Sequence, residues 1–142
     1  MKIRNPLFLR AIAPLLALAL LGCATPAQAD PGVWLGAVRL AEGKDRDVVR
    51  LPPCNRSPNV AVRELRVKVL EYPAELDHLR VVFHNGESQE LQVKQHFGAG
   101  DSSRWIDLRG QRRCIQRIIV IGDTDTIGWR PGRQARVSFF GR

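Results

Sequence analysis

The sequence predicts an all-β protein: one antiparallel β-sandwich domain, jelly-roll-like, closed by a single disulfide. Three observations carry that prediction. Beyond residue 30 apolar and polar residues alternate with period two, the pattern of strands with one buried face. Turn residues break the alternation about every eight to twelve positions, a spacing typical of sandwiches. No stretch of the domain holds a convincing helical period. The closest, Arg63–Leu70, is rich in β-branched valine and so reads as strand.

Residues 1–29 precede the domain and read as a secretory signal peptide. Lys2, Arg4 and Arg10 are its positive charges, and Ala11–Leu21 is apolar apart from Pro14. That run is shorter than the about 20 residues a membrane span needs. Two processing signals follow. Ala27-Gln28-Ala29 is an A-x-A site whose cleavage leaves residues 30–142 as a periplasmic domain with no membrane span. Leu20-Leu21-Gly22-Cys23 resembles a lipobox, although its second position is more usually Ala, Ser or Thr. Release after Ala29 is the expected route, and an outer-membrane lipoprotein anchored through Cys23 is the alternative. Lys2, Arg4 and Arg10 are three of the 22 basic residues, so removing the leader lowers the net charge from +8 to +5.

The strands follow in order. Val33–Leu40 is the first and Asp47–Leu51 the second, stopped by Pro52-Pro53. Ala61–Leu70 alternates cleanly except for one slip near Glu64. Leu76–Phe83 and Glu90–Phe97 flank Asn85-Gly86, the strongest hairpin dipeptide. A two-residue loop there would set Val81 opposite Glu90 and put the two apolar faces out of step. An odd loop of three or five residues, with Gly86 left-handed, restores the match. Ser103–Leu108 is the next strand, with Trp105 read as core. Ile115–Gly122 is almost continuously apolar, as a central strand is, and Ala135–Phe140 completes the set.

Cys54 and Cys114 remain after the leader is removed. In an oxidising compartment two such cysteines pair. There is no C-x-x-C to favour a redox role.

The search for chemistry yields few candidates. His78, His84 and His96 form no H-x-H or H-E-x-x-H pair, and no nucleophile elbow or phosphate-binding glycine loop occurs, so no cofactor is expected. Asp123-Thr124-Asp125 opens like a calcium loop, but Ile127 and Gln134 stand where ligands are required. Leu108–Arg113 is the densest basic stretch and suits an anionic glycan or lipid head group. Nucleic acid is not expected as a partner, because the aromatics are too few for a stacking platform. Of the tryptophans, Trp34 reads as core with Trp105, and Trp129 as exposed. Asp45, Arg46 and Asp47 are the candidate ligand-binding residues, since loops at one end of a jelly roll commonly hold ligand. The warrant is analogy of fold.

The mature chain resembles the YaaI-like family of small exported bacterial proteins, known as domain of unknown function 2541. The residues that carry the likeness are Trp34-Leu35-Gly36, Asp47 with Leu51-Pro52-Pro53-Cys54, Val82-Phe83, Trp105-Ile106-Asp107-Leu108, and Arg113-Cys114-Ile115 with Ile118. The resemblance implies export with cleavage at an A-x-A site and brings no catalytic residue. The expected function is a non-enzymatic binding or envelope-associated module, with an anionic envelope glycan or a periplasmic protein as partner. The alternatives are an envelope glycan hydrolase and a stress or assembly partner protein without a small ligand.

Overall fold

The computed structural model describes residues 31–93, 96–124 and 132–142. The leader, Ala29, Cys23, Asp125–Gly128 of the calcium-like turn and Trp129 lie outside them. The strands are β1 (Val33–Leu40), β2 (Asp45–Arg50), β3 (Ala61–Val62), β4 (Glu64–Leu70), β5 (Ala74–Phe83), β6 (Ser88–Leu91), β7 (His96–Phe97), β8 (Ile106–Asp107), β9 (Arg113–Thr124) and β10 (Ala135–Gly141). A 3-10 turn over Pro58–Val60 precedes β3. No helix among the described residues is long and apolar enough to cross a membrane.

All pairings are antiparallel, as the alternation predicts. One sheet runs β1-β10-β4-β8, and the other runs β2-β9-β5-β6 with β3 beside β9 and β7 beside β5. The chain is thus a ribbon folded on itself: β1 pairs with β10, β2 with β9, β4 with β8 and β5 with β6. The apolar run of β9 lies between β2 and β5, the central place its composition predicts.

The slip near Glu64 has a physical cause. There the chain leaves one sheet at Val62 and enters the other at Glu64. The backbone groups freed at the crossing are not left bare. Arg63 and Glu64 donate to the Arg142 carbonyl at 2.7 and 3.1 Å, and Leu108 donates to the Arg63 carbonyl at 2.8 Å.

The hairpin loop has three residues. Phe83 donates to the Glu87 carbonyl at 2.9 Å, Gly86 donates to the Phe83 carbonyl at 3.0 Å, and Gly86 sits at φ +88°. Leu79 therefore stands opposite Leu91, both facing the core.

Several strand limits need correction. Glu90–Phe97 is not one strand but the end of β6 plus β7. Of Ser103–Leu108 only Ile106–Asp107 is regular. Upstream, Asp101 folds the chain into a turn, and the Ser103 hydroxyl takes the place of a carbonyl, accepting from the Val67 N–H at 3.0 Å. That segment still lies beside β4, with Gly100 donating to Val69 and Ser103 to Val67, each at 2.8 Å.

The core lies between the sheets. Leu65, Val67, Val69, Val137 and Phe139 meet Leu76, Leu79, Val81, Ile115, Ile118 and Val120, all buried. Two features fasten its edges, the first within one sheet and the second between the two. The Cys54–Cys114 disulfide, with Cα atoms 5.9 Å apart, fastens the segment after β2 to the start of β9. Buried Thr124, at the end of β9, donates its hydroxyl to the Leu40 carbonyl at 2.6 Å and accepts from the Ala135 N–H at 2.9 Å. Gly122 permits β9 to meet β5 closely, since a Cβ there would stand 2.3 Å from the Glu75 carbonyl oxygen.

Candidate functional site

Asp45, Arg46 and Asp47 do not form one group. They lie on β2, where neighbours point to opposite faces, so Arg46 is separated from the two aspartates. Asp45 accepts from the Arg46 backbone N–H at 2.8 Å, a local bond. Asp47 stands opposite buried Val120 and turns inward; its Oδ2 is buried with no hydrogen-bond partner among the described residues. Burial, reinforced by the charge of Asp45, raises its pKa. Asp45 and Asp47 are spaced about 7 Å along the strand. That suits a glycosidase pair, but the inner oxygen of Asp47 is shut away from solvent.

A carboxyl whose pKa is higher in the folded state than in the unfolded one binds its proton more tightly when folded. Stability is therefore lost as pH rises through the interval between the two values. We expect Asp47→Asn to melt a few degrees above wild type at pH 8, the size of change that ~1 kcal/mol produces. The gain should vanish as pH falls below the raised pKa. Melting at pH 3 and pH 8 checks this, and a variant no more stable than wild type at pH 8 would refute it.

The histidines are held apart. His78 Nε2 lies 2.7 Å from Glu90, His96 Nδ1 lies 3.9 Å from Glu75, and His84 is in the hairpin loop. The basic stretch is largely committed to internal contacts. Arg113 stacks 4.0 Å over the Phe83 ring, pairs with Glu87 and donates to the Arg109 carbonyl at 2.9 Å. Arg112 donates to the Ala61 carbonyl at 3.0 Å. Hydrogen bonds from Asn85 and Arg113 lower the pKa of Glu87. A cleft of about 460 Å³ lies beside these residues, lined by Gln89, Arg109 and Gly110 among others. Its basic character is blunted by the pairing of Arg113.

A different surface gathers an exposed indole and cations that make no ion pair among the described residues: the outer face of the sheet β1-β10-β4-β8. The ladder register lays its side chains out in rows. Trp34, Phe140 and Arg66 stand side by side on β1, β10 and β4. Next comes a row of mostly short side chains, Ala37, Ser138, Lys68 and Ser102. Arg39, Arg136 and Leu70 form the third. Two cavities sit over the short row. One of about 400 Å³ is lined by Trp34, Ala37, Val38, Arg39 and Arg136. The other, of about 170 Å³, is lined by Pro31, Arg66, Lys68, Ser102 and Phe140.

Trp34 is 57% exposed, which corrects its reading as core. A bulge between Trp34 and Gly36 shifts the register and turns the indole outward. Trp105 is not core either. It is half-buried over Gly32, with the Arg142 guanidinium 4.6 Å and that of Arg66 5.8 Å from its ring centre. Arg39 is held by both oxygens of Glu71, at 2.7 and 3.3 Å, and Arg142 by Glu64. Lys68 and Arg136 make no ion pair among the described residues. Sequence reasoning missed this face, although one signal for it was present. Phe140 shares the parity of Arg136 and Ser138 rather than that of Ala135, Val137 and Phe139.

A family model described as "Domain of unknown function (DUF2541)" matches residues 14–141. No curated protein and no solved structure matches.

Proposed function

The chain belongs to the DUF2541 family, a domain of unknown function, and from that premise we propose that it is an exported, non-enzymatic binding module. The observation that carries the reading is the outer face of the sheet β1-β10-β4-β8, where exposed Trp34 shares a cavity with Arg136 and lies two strands from Lys68, both cations without an ion pair among the described residues. An indole and a cation lining one cavity offer a stacking face and a charge to the same ligand. The first-with-last pairing of the ribbon supports a jelly-roll arrangement, an architecture that lectin domains share. Export is supported by the disulfide and by the leader, into which the family match reaches.

The test is retention of the purified protein on an insoluble envelope fraction. Wild type should be retained, and the Trp34→Ala, Lys68→Glu double variant should be released while melting like wild type. Equal retention of the two would remove the face from consideration. Release of reducing sugar ends, abolished by Asp47→Asn, would replace the reading with a hydrolase. A stoichiometric protein partner would replace it with an assembly role.

Processing is tested separately. Mass spectrometry of the exported protein should find Asp30 at the N-terminus. A diacylglycerol-modified Cys23 in the membrane fraction would make it a lipoprotein instead.

A further inference from the structure

We infer that the trough on the outer face of the sheet β1-β10-β4-β8 takes an acidic polysaccharide, with a sugar ring on Trp34 and carboxylates on Lys68 and Arg136. This rests on the binding-module reading and adds the chemical class of the ligand.

The shape of the trough comes first. Ala37 lines one cavity and Ser102 the other, with buried Ser138 between them in the same row, and these side chains are too short to block a ligand lying across the strands. Trp34 and Phe140 wall one side, and Arg39 and Arg136 stand on the other. Neighbouring strands are about 4.8 Å apart, so three strands and the segment beside β4 offer a track of about 14 Å. An extended chain fits such a track; a compact metabolite would leave most of it empty.

Charge is the second argument. Arg39, Arg66, Lys68, Arg136 and Arg142 face two carboxylates, Glu64 and Glu71, and both of those are already engaged by Arg142 and Arg39. The Glu64 pairing is strong enough to lower its pKa, chiefly through the hydrogen bond from Arg142. Arg66 donates to the Ser103 carbonyl at 3.1 Å and lies over the Trp105 ring, which leaves Lys68 and Arg136 as the cations open to an anion. They sit on adjacent strands, two residues out of register, which separates their backbones by about 8 Å. A linear glycan that carries acid groups along its length reaches both.

The aromatic groups decide between a glycan and a nucleic acid. A single strand of nucleic acid is held by successive ring faces, one per base. Here the Trp105 ring is occupied by Gly32 and the Arg142 guanidinium, and Phe140 is half-buried. One open indole remains among the described residues. That suits one sugar ring packed on its C–H face, with hydroxyl groups directed to the arginines and to Ser102.

The experiment titrates the protein, as purified from the expressing cell, with polygalacturonate, dextran and oligothymidylate, following tryptophan fluorescence and calorimetric heat. Polygalacturonate should bind, and binding should weaken as salt is raised through about 0.15 M. Dextran should bind at least about tenfold more weakly. Trp34→Ala and the Lys68→Ala, Arg136→Ala pair should each cost about tenfold or more in affinity, the scale of a central contact. The pair should also flatten the salt dependence. Arg46→Ala, on the other sheet, should leave binding unchanged. Melting curves that match wild type would show that the variants remain folded. The inference is overturned if polygalacturonate fails to bind, if dextran or oligothymidylate binds as well, or if Trp34→Ala has no effect. Envelope retention that survives while polygalacturonate fails would leave the binding module standing and remove only the acidic glycan.

Discussion

The Cys54→Ser, Cys114→Ser double variant is expected to lose about 2–5 kcal/mol of stability. The bridge closes a loop of 60 residues, which the chain-entropy model values at about 4 kcal/mol through restriction of the unfolded chain. The folded state also loses a local clasp. The Cys54 N–H points at the Cys114 sulfur at 3.1 Å, and Leu51 donates to the Gln116 carbonyl at 2.9 Å. Domains of this length typically hold about 5–15 kcal/mol in all. The melting temperature should therefore fall by about 10 °C or more. Thermal melts with and without reductant measure it. Labelling of the unreduced, denatured wild type should find neither Cys54 nor Cys114 free. Two reactive thiols from that pair would refute the bridge.

Thr124→Val should be nearly as damaging, although it alters only a hydroxyl. The Leu40 carbonyl and the Ala135 N–H both rely on that oxygen, and Thr124 is 3% exposed. Valine preserves shape and leaves two buried polar groups unpaired, each worth about 1–3 kcal/mol. We expect a loss of about 2–4 kcal/mol, read as a shift in the denaturation midpoint with an unchanged slope. Thr124→Ser, which keeps the hydroxyl, should recover most of it. A valine variant as stable as wild type would mean that water replaces both bonds.

These two anchors differed in how far the sequence revealed them. The cysteine pair was legible, because two thiols that remain after a leader read as secretory have few alternatives. Thr124 was not, since its importance arises where the ends of β1, β9 and β10 converge. Strand placement was legible wherever one face is buried, because period two then reflects a physical requirement. Even the slip at Glu64 recorded a real crossing between sheets. The binding face was not legible for the complementary reason. It depends on which residues become neighbours across strands, and register fixes that. A single extra residue between Trp34 and Gly36 turned an indole from the core to solvent, and alternation alone cannot place a bulge. Asp45 and Asp47 show the reverse error: charged residues near a turn suggested an exposed cluster, yet Asp47 turns inward.

The folded ribbon also constrains when the protein can fold at all. Val33 pairs with Gly141, so the two halves of one ladder lie at opposite ends of the domain. β10 is flanked by β1 and β4 and is an interior strand of its sheet. During synthesis that sheet lacks an interior member until Gly141 has left the ribosome. A nascent chain therefore cannot reach the native topology early, however fast its local hairpin between β5 and β6 forms. On the export route proposed above, this delay is an advantage, because the chain crosses before it folds. The order of the strands itself holds back the native sheet until the last strand is made.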